Sequence, residues 1–302
     1  MGHTWRNRLY KTLLVLVPSM VMTMTCAKAA QETGDAQGAT RLLQTYRQLQ
    51  PRLQNNPYGQ PLVISSSESG RQIQGEVFAV LDFPMELASS SLDKPAAWCD
   101  ILILHINTKQ CVVTPEGLLG VYIGKKTPQS LADATRIDFA FRRLRSSAAE
   151  LHVEMSAQRG PWGTSAYTIV LEAVALPQSK TFLHLTYAYQ VNLAGQLAFA
   201  AYLGSTGKDK VGFSTQDPVD GNTAALVGGV RGLIERNTMR YYLAIDAYLR
   251  SLSLAPGSQT ENRLQTWYQQ SERYPRQLHE VDRAAYLAMK RAEIARQRSA
   301  AE

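Results

Sequence analysis

Residues 224–252 read AALVGGVRGLIERNTMRYYLAIDAYLRSL, and the arrangement of the rest of the chain turns on this stretch. Val230, Ile234, Tyr241, Ile245, Tyr248 and Leu252 recur at steps of three, four and seven and so share one helical stripe. Arg236, Arg240, Asp246 and Arg250 fall largely off it, while Asn237 sits inside it between Ile234 and Tyr241. A helix of this span is about 40 Å long and needs an apolar surface of matching length. Pro256-Gly257 ends it.

That surface lies upstream. Segments 106–113, 118–124, 136–145, 150–157, 165–175 and 181–191 alternate or are rich in β-formers. Period two sets Ile137, Phe139 and Phe141 against Asp138 and Arg142, and Leu151, Val153 and Met155 against His152 and Glu154. Likewise Leu183, Leu185, Tyr187 and Tyr189 oppose His184 and Thr186. An antiparallel meander with one apolar face must be covered, and the long helix is the available cover. Ahead of the meander, 62–66 and 73–83 read as strands around the turn-rich Ser67-Glu68-Ser69-Gly70. Two short helices follow, 85–92 and one opening at Pro95, a residue suited to a first helical turn. A polar leader, 30–40, and a helix over 41–53 with Leu42, Leu43, Tyr46, Leu49 and Leu53 at helical spacing come first, stopped by Pro57-Tyr58-Gly59. A short apolar helix over 194–203 follows the meander. Two polar helices, 260–272 and 276 to about 298, flank a Tyr274-Pro275 break.

Strand, two short helices, meander and long helix is the order of the α+β helix-grip fold, a curved antiparallel sheet around a C-terminal helix. Over roughly residues 71–252 the chain resembles the START-related superfamily, also called SRPBCC or polyketide-cyclase-like. Residues 75–84, GEVFAVLDFP, are similar to the family's first strand ending at a proline; 95–102, PAAWCDIL, to its second short helix with a tryptophan; and 241–249, YYLAIDAYL, to its lid helix. The resemblance implies a cavity for lipids, sterols or polycyclic compounds, with a minority of members catalysing cyclisation or hydroxylation-type chemistry. The helix before the first strand and the helices after the lid depart from the family pattern. The resulting division is 1–29 signal peptide, 30–70 helix and lead-in strand, 71–252 START-like domain and 253–302 helical extension.

Charge and targeting belong together. The 302 residues carry Lys+Arg 32 against Asp+Glu 25, a formal +7. Arg6, Arg8, Lys11 and Lys28 fall within residues 1–29, which hold no acid, so more than half of the excess lies there. The remainder is too evenly charged for a sequence-wide grip on polyphosphate, and no nucleic-acid partner is expected. Hydrophobic content of 45% with 19% charged residues excludes a disordered chain. A basic start over 1–11, an apolar run over 12–25 and Ala27-Lys28-Ala29 before Ala30 read as a cleaved secretory signal peptide. The apolar run is shorter than the ~20 residues of a membrane span and contains Pro18. Export places the protein in the periplasm and leaves Cys99 and Cys111, which an oxidising compartment favours as a disulfide. Its loop is worth roughly 3 kcal/mol; two buried free thiols are the alternative.

Catalytic signatures were sought in the same residues. Neither a Walker or dinucleotide glycine loop nor Gly-x-Ser-x-Gly occurs, and no cofactor is implied. A metal on His152 and His184 would need a third ligand, for which Glu154 is the candidate, and both histidines alternate with the apolar face; no metal site is expected. Arg159-Gly160-Pro161-Trp162-Gly163 reads as a hairpin loop. Asp100, His105, Glu235 and Asn237 are the polar residues that fall near the presumed cavity, with Asn237 either capping sheet backbone or orienting a ligand's polar end. The expected ligand-binding residues are Phe139, Phe141, Tyr187, Tyr189, Asn237, Tyr241 and Tyr248, unless those side chains fill a solid core. These readings converge on an exported, monomeric, non-enzymatic carrier of a hydrophobic small molecule or lipid. The alternatives are an enzyme on the same fold and an envelope scaffold that meets a protein partner through its terminal helices.

Overall fold

A computed structural model describes residues 22–205, 207–216 and 225–299, with side chains from residue 37 onward. Most of the expected signal peptide, residues 1–21, lies outside the described residues, and Ala27-Lys28-Ala29 falls within helical backbone. The chain divides into two compact units, Met1–Gly38 and Ala39–Glu302. Helix α1 (Met22–Gln54) takes in the polar leader as well as 41–53, because Ala30, Gln31, Glu32, Ala36 and Gln37 are good helix formers that outweigh Gly34 and Gly38.

Strands β1 (Leu62–Ser69) and β2 (Gln72–Leu81) form a hairpin about Gly70, whose φ of 59° suits glycine. Helices α2 (Met85–Leu92) and α3 (Pro95–Leu102) follow. The indole N–H of Trp98 donates to the Leu92 carbonyl at 2.9 Å and fixes one helix against the other. Then come β3 (Thr108–Val113), β4 (Leu118–Ile123), β5 (Thr135–Ser146), β6 (Glu150–Arg159), β7 (Thr164–Leu176) and β8 (Lys180–Val191). All eight strands make one antiparallel sheet in the order β1-β2-β8-β7-β6-β5-β4-β3. Register shifts in β3, β5 and β7 add the local bend and twist that curl the sheet. After α4 (Leu193–Gly204), α5 (Gly229–Ser251) runs through the main hydrophobic core. From β2 to α5 this is the helix-grip fold of START-related proteins, with β1 as an additional edge strand.

Gly75 sets how closely α5 approaches β2. A Cβ there would lie 2.4 Å from Thr238 Oγ1 and 3.1 Å from Ile234 Cγ1, so only glycine permits the crossing as built. On the inner face Leu151, Val153, Met155, Leu183 and Leu185 join Ile234, Leu243 and Ile245 in one core. On the outer face Val63, Val174 and Phe182 form a second cluster with Leu42 and Leu53 of α1. His152 and His184 lie on that outer side, as their alternation indicated. The ring of His184 stacks 4.1 Å from Phe78 and bonds Glu76 and Glu172 at 3.0 and 3.3 Å.

The C-terminal helices correct two expectations. Segment 276–298 is not one helix but α7 (Pro275–Leu278) and α8 (Arg283–Ser299). Asp282 Oδ1 accepts from the Ala285 N–H at 2.8 Å, starting a new helix in the manner of an N-cap. Nor does lying off the apolar stripe leave every charged residue of α5 exposed: Arg236, Arg240 and Asp246 are 1%, 2% and 3% exposed, and of the four only Arg250 is exposed. Asp246 is covered by α6 (Pro256–Ser271), whose Gln270 amide donates to it and whose Trp267 Nε1–H donates to the Arg240 carbonyl at 3.0 Å, whereas the Arg240 guanidinium reaches Glu280 and that of Arg236 the Val211 carbonyl. In addition, Lys290 of α8 donates to the Thr108 carbonyl at 2.6 Å and pairs with Glu293, which also takes Lys109 at 3.0 Å. Of the two readings for the cysteines the disulfide holds: Cys99–Cys111 ties α3 to β3 across a Cα separation of 5.0 Å.

Candidate ligand cavity

Because α5 meets β2 at Gly75 and the sheet curls away toward β4 and β5, a gap remains between sheet and helix. It is a cavity of about 420 Å³, so the interior is not solid. Val121, Ile123, Ile137, Phe139 and Ile169 supply an apolar wall from β4, β5 and β7. Beside it runs an aromatic belt. Tyr167 lies 5.3 Å from Tyr189 between ring centres, Tyr189 lies 5.5 Å from Tyr187, and Tyr187 lies 5.2 Å from Tyr241 of α5, within the range for favourable ring pairs. The register shift in β7 falls between Ser165 and Thr168, with Ala166 at a φ of 49°, and turns Tyr167 inward. Its hydroxyl meets Thr164 Oγ1 at 2.7 Å.

One side of the cavity is closed by a hairpin loop and a largely exposed helix rather than by core. Pro161 and Trp162 come from the β6–β7 hairpin, and Ala198, Phe199 and Tyr202 from α4. Helix α4 carries no charged side chain, and its Leu193 and Leu197 are 73% and 66% exposed, as Trp162 is at 59%. Exposed apolar side chains grouped at a mouth mark a surface used for contact.

The cavity also has a polar, cationic part, which adjoins α4 where Lys126 Nζ donates to the Tyr202 hydroxyl at 3.4 Å. Arg240 bonds Asn237 Oδ1 at 3.2 Å and Glu280 Oε1 at 2.7 Å. Lys126 reaches the same Glu280 oxygen at 2.7 Å. The break between α7 and α8 is what brings Glu280 here. Burial raises the Glu280 carboxyl, but Arg240 and Lys126 outweigh it and hold the group below its ordinary value. Arg236 donates from Nη1 to the Val211 carbonyl at 3.2 Å, and its buried Nη2 has no partner. His105, 5% exposed, is pushed well below its ordinary value by burial first and then by Arg240, Lys290 and Lys126, with the Asn237 amide only partly offsetting them. Since Nδ1 accepts from the Asn107 N–H at 3.2 Å, the neutral ring carries its proton on Nε2, which has no hydrogen-bond partner. Burial raises the hydroxyls of Tyr187, Tyr189 and Tyr241, and that of Tyr167 to about 12 against the pull of Thr164. At neutral pH the belt therefore offers hydroxyl groups and no phenolate.

Five of the seven expected ligand-binding residues line this cavity: Phe139, Tyr187, Tyr189, Asn237 and Tyr241. Phe141 and Tyr248 do not. Phe141 is half-buried toward the register shift at Arg143, and Tyr248 lies about two turns beyond Tyr241, under the Arg263 guanidinium at 4.4 Å. Asn237 caps no sheet backbone; its oxygen accepts from Arg240. Of the other polar candidates only His105 reaches the cavity. Glu235 accepts from Ser66 Oγ and Phe213 N, each at 2.6 Å, and anchors segment 213–214 to α5. Asp100 binds Arg263 at 2.7 Å, joining α3 to α6. Residues not anticipated are Tyr167, whose inward position was legible in the alternation of 165–175, and Arg236 and Arg240, which fall off the apolar stripe of the helix. Among the described residues no cluster of three or more His, Cys, Asp or Glu could hold a metal, and no helix is long and apolar enough to cross a membrane.

No protein-family profile and no curated protein matches the chain. Solved structures with a similar arrangement include a conserved protein from Geobacillus kaustophilus at 12% identity and a TM-score of 0.34, matching 59% of this chain and 95% of that one. Another is a START superfamily protein from Mycobacterium smegmatis, at 14% identity and 0.29, over 46% of this chain and 93% of that one. A third is a point mutant of norcoclaurine synthase from Thalictrum flavum in complex with a transition-state analogue, at 13% and 0.31, over 47% and 89%. Likeness at these values transfers no activity; strand order and the lid helix carry the fold assignment.

Proposed function

We propose that this chain is an exported carrier that binds a hydrophobic small molecule, lipid-like in character, between sheet and lid helix and does not alter it chemically. The cavity of about 420 Å³ with its apolar wall and tyrosine belt carries this reading. It is close to three times the ~150 Å³ apolar void that takes up benzene in another protein, room for one chain or a small ring system. Tyrosines held in the hydroxyl form donate to a ligand's polar atoms and do not abstract protons at neutral pH. The uncharged α4, with exposed Leu193 and Leu197 beside Trp162, suits a gate through which an apolar ligand enters. Residues 1–29 and the Cys99–Cys111 bond favour the periplasm as the place of action. Native mass spectrometry of protein purified from the periplasm should find a hydrophobic molecule bound. Protein that arrives empty and takes up neither fatty acids, hopanoids, sterols nor phospholipids would end this reading.

Catalysis on the same scaffold is the second reading, and His105 favours it through a neutral ring with an unpaired Nε2–H on the cavity. Recovery of a bound ligand unchanged after long incubation separates a carrier from an enzyme.

A further inference from the structure

The polar part of the cavity carries more positive charge than its own carboxylate can match. Arg236, Arg240, Lys126 and Lys210 lie within electrostatic reach of one another and of Glu280. Among the described residues, the carboxylate ion-paired with this group is Glu280, already shared between Lys126 and Arg240. Arg236 is 1% exposed, donates from Nη1 to a backbone carbonyl and interacts with the Tyr202 hydroxyl, both neutral groups, while its Nη2 has no partner. A buried guanidinium without a counter-ion is costly, and its planar fork suits carboxylate or phosphate oxygens. The second unpartnered donor is the Nε2–H of His105, on a residue that lines the same cavity.

We propose that the ligand is an anionic amphiphile, with its acidic group on Arg236 Nη2 and His105 Nε2 and its apolar body along the tyrosine belt. This rests on the carrier reading and adds the chemical class of the cargo. Asn107 Oδ1, also buried without a partner, is an acceptor, which a water or a hydroxyl beside the acidic group satisfies. The cavity of about 420 Å³ suits one chain or one small ring system. A carboxylate and a phosphate monoester meet the site equally on charge, so the source of the acidic group is left to the measurement.

Calorimetric titration of the full exported chain with dodecanoate, dodecyl phosphate and 1-dodecanol, each kept below its aggregation threshold, tests the proposal. At least one anion should bind about 10-fold more tightly than the alcohol, or roughly 1.4 kcal/mol, and the stronger of the two anions identifies the acidic group. Arg236→Met should bring anion and alcohol to within about 2-fold of each other, and Arg236→Lys should restore part of the difference. Equal affinity for all three probes in the unmodified protein overturns the anionic assignment and leaves the carrier reading standing. Binding of none of them removes both. Should Arg236→Met fail to fold, the ratio in the unmodified protein decides alone.

Discussion

His184 shows how a single outer-face residue reads in the sequence and what its surroundings add. Alternation put it opposite the apolar face, and there it stays, but Glu172 and Glu76 could not be assigned to it from spacing because they come from β7 and β2. Burial lowers its pKa, yet the hydrogen bonds to Glu172 and Glu76 more than compensate, so the net shift is upward. A raised folded-state pKa contributes stability fully below the unfolded value near 6.5 and loses it as pH climbs through the folded value. NMR titration should place the His184 midpoint above 6.5, with Glu172→Gln bringing it down. Gly75 is the other informative residue. Gly75→Ala must push Thr238 or the helix aside and should cost about 1–3 kcal/mol in a denaturant melt, whereas the same change at Gly117, where φ is 80° but nothing lies within 4 Å, tests backbone strain without overpacking.

At the scale of elements, strands and helices were legible wherever one periodicity ruled, and boundaries failed where tertiary contacts chose them. The split between α7 and α8 is the clearest case: the Asp282 cap on Ala285 is local, but the ion pairs that hold Glu280 come from Lys126 and Arg240, far away in the chain. The disulfide joins cysteines 12 residues apart in the chain, and replacing both with serine should lower stability by about 3 kcal/mol on loop entropy. In α4 only Gly195 is buried; its amides should exchange faster than those of α5, and slow when the cavity is filled. The buried pairing of α8 with β3 has its own signature. Burial lowers Lys290 to about 8, with Glu293 offsetting only part of the effect. The unfolded chain therefore holds the extra proton between about 8 and the ordinary lysine value of 10.5, so stability should rise with pH from about 8 upward. Above about 10 the raised tyrosines, which ionise first in the unfolded chain, reverse that slope. Urea melts across this range should show the rise, and Lys290→Met should flatten it.

For the whole molecule, the C-terminal helices behave as core rather than as an appendage. Leu264, Trp267, Tyr286 and Ile294 belong to the same hydrophobic cluster as the sheet, and α6 bonds Asp246 of α5 through Gln270. Deleting 258–302 should leave an aggregating or non-cooperative chain, visible by calorimetry. If the truncated chain instead stayed folded and kept binding ligand, these helices would be an independent docking module. By itself the sequence determined the fold class, the inward face of β5, β6 and β8, the identity of the lid helix and five of the cavity residues. Each follows from a local period of two or 3.6 acting on burial. Only the tertiary structure decided that a void remains and that Arg236, Arg240 and Lys126 gather at one part of it. Those depend on where the sheet curls, where α6 lands on α5 and where the α7–α8 break delivers Glu280, contacts between residues too distant in sequence for any periodicity to record.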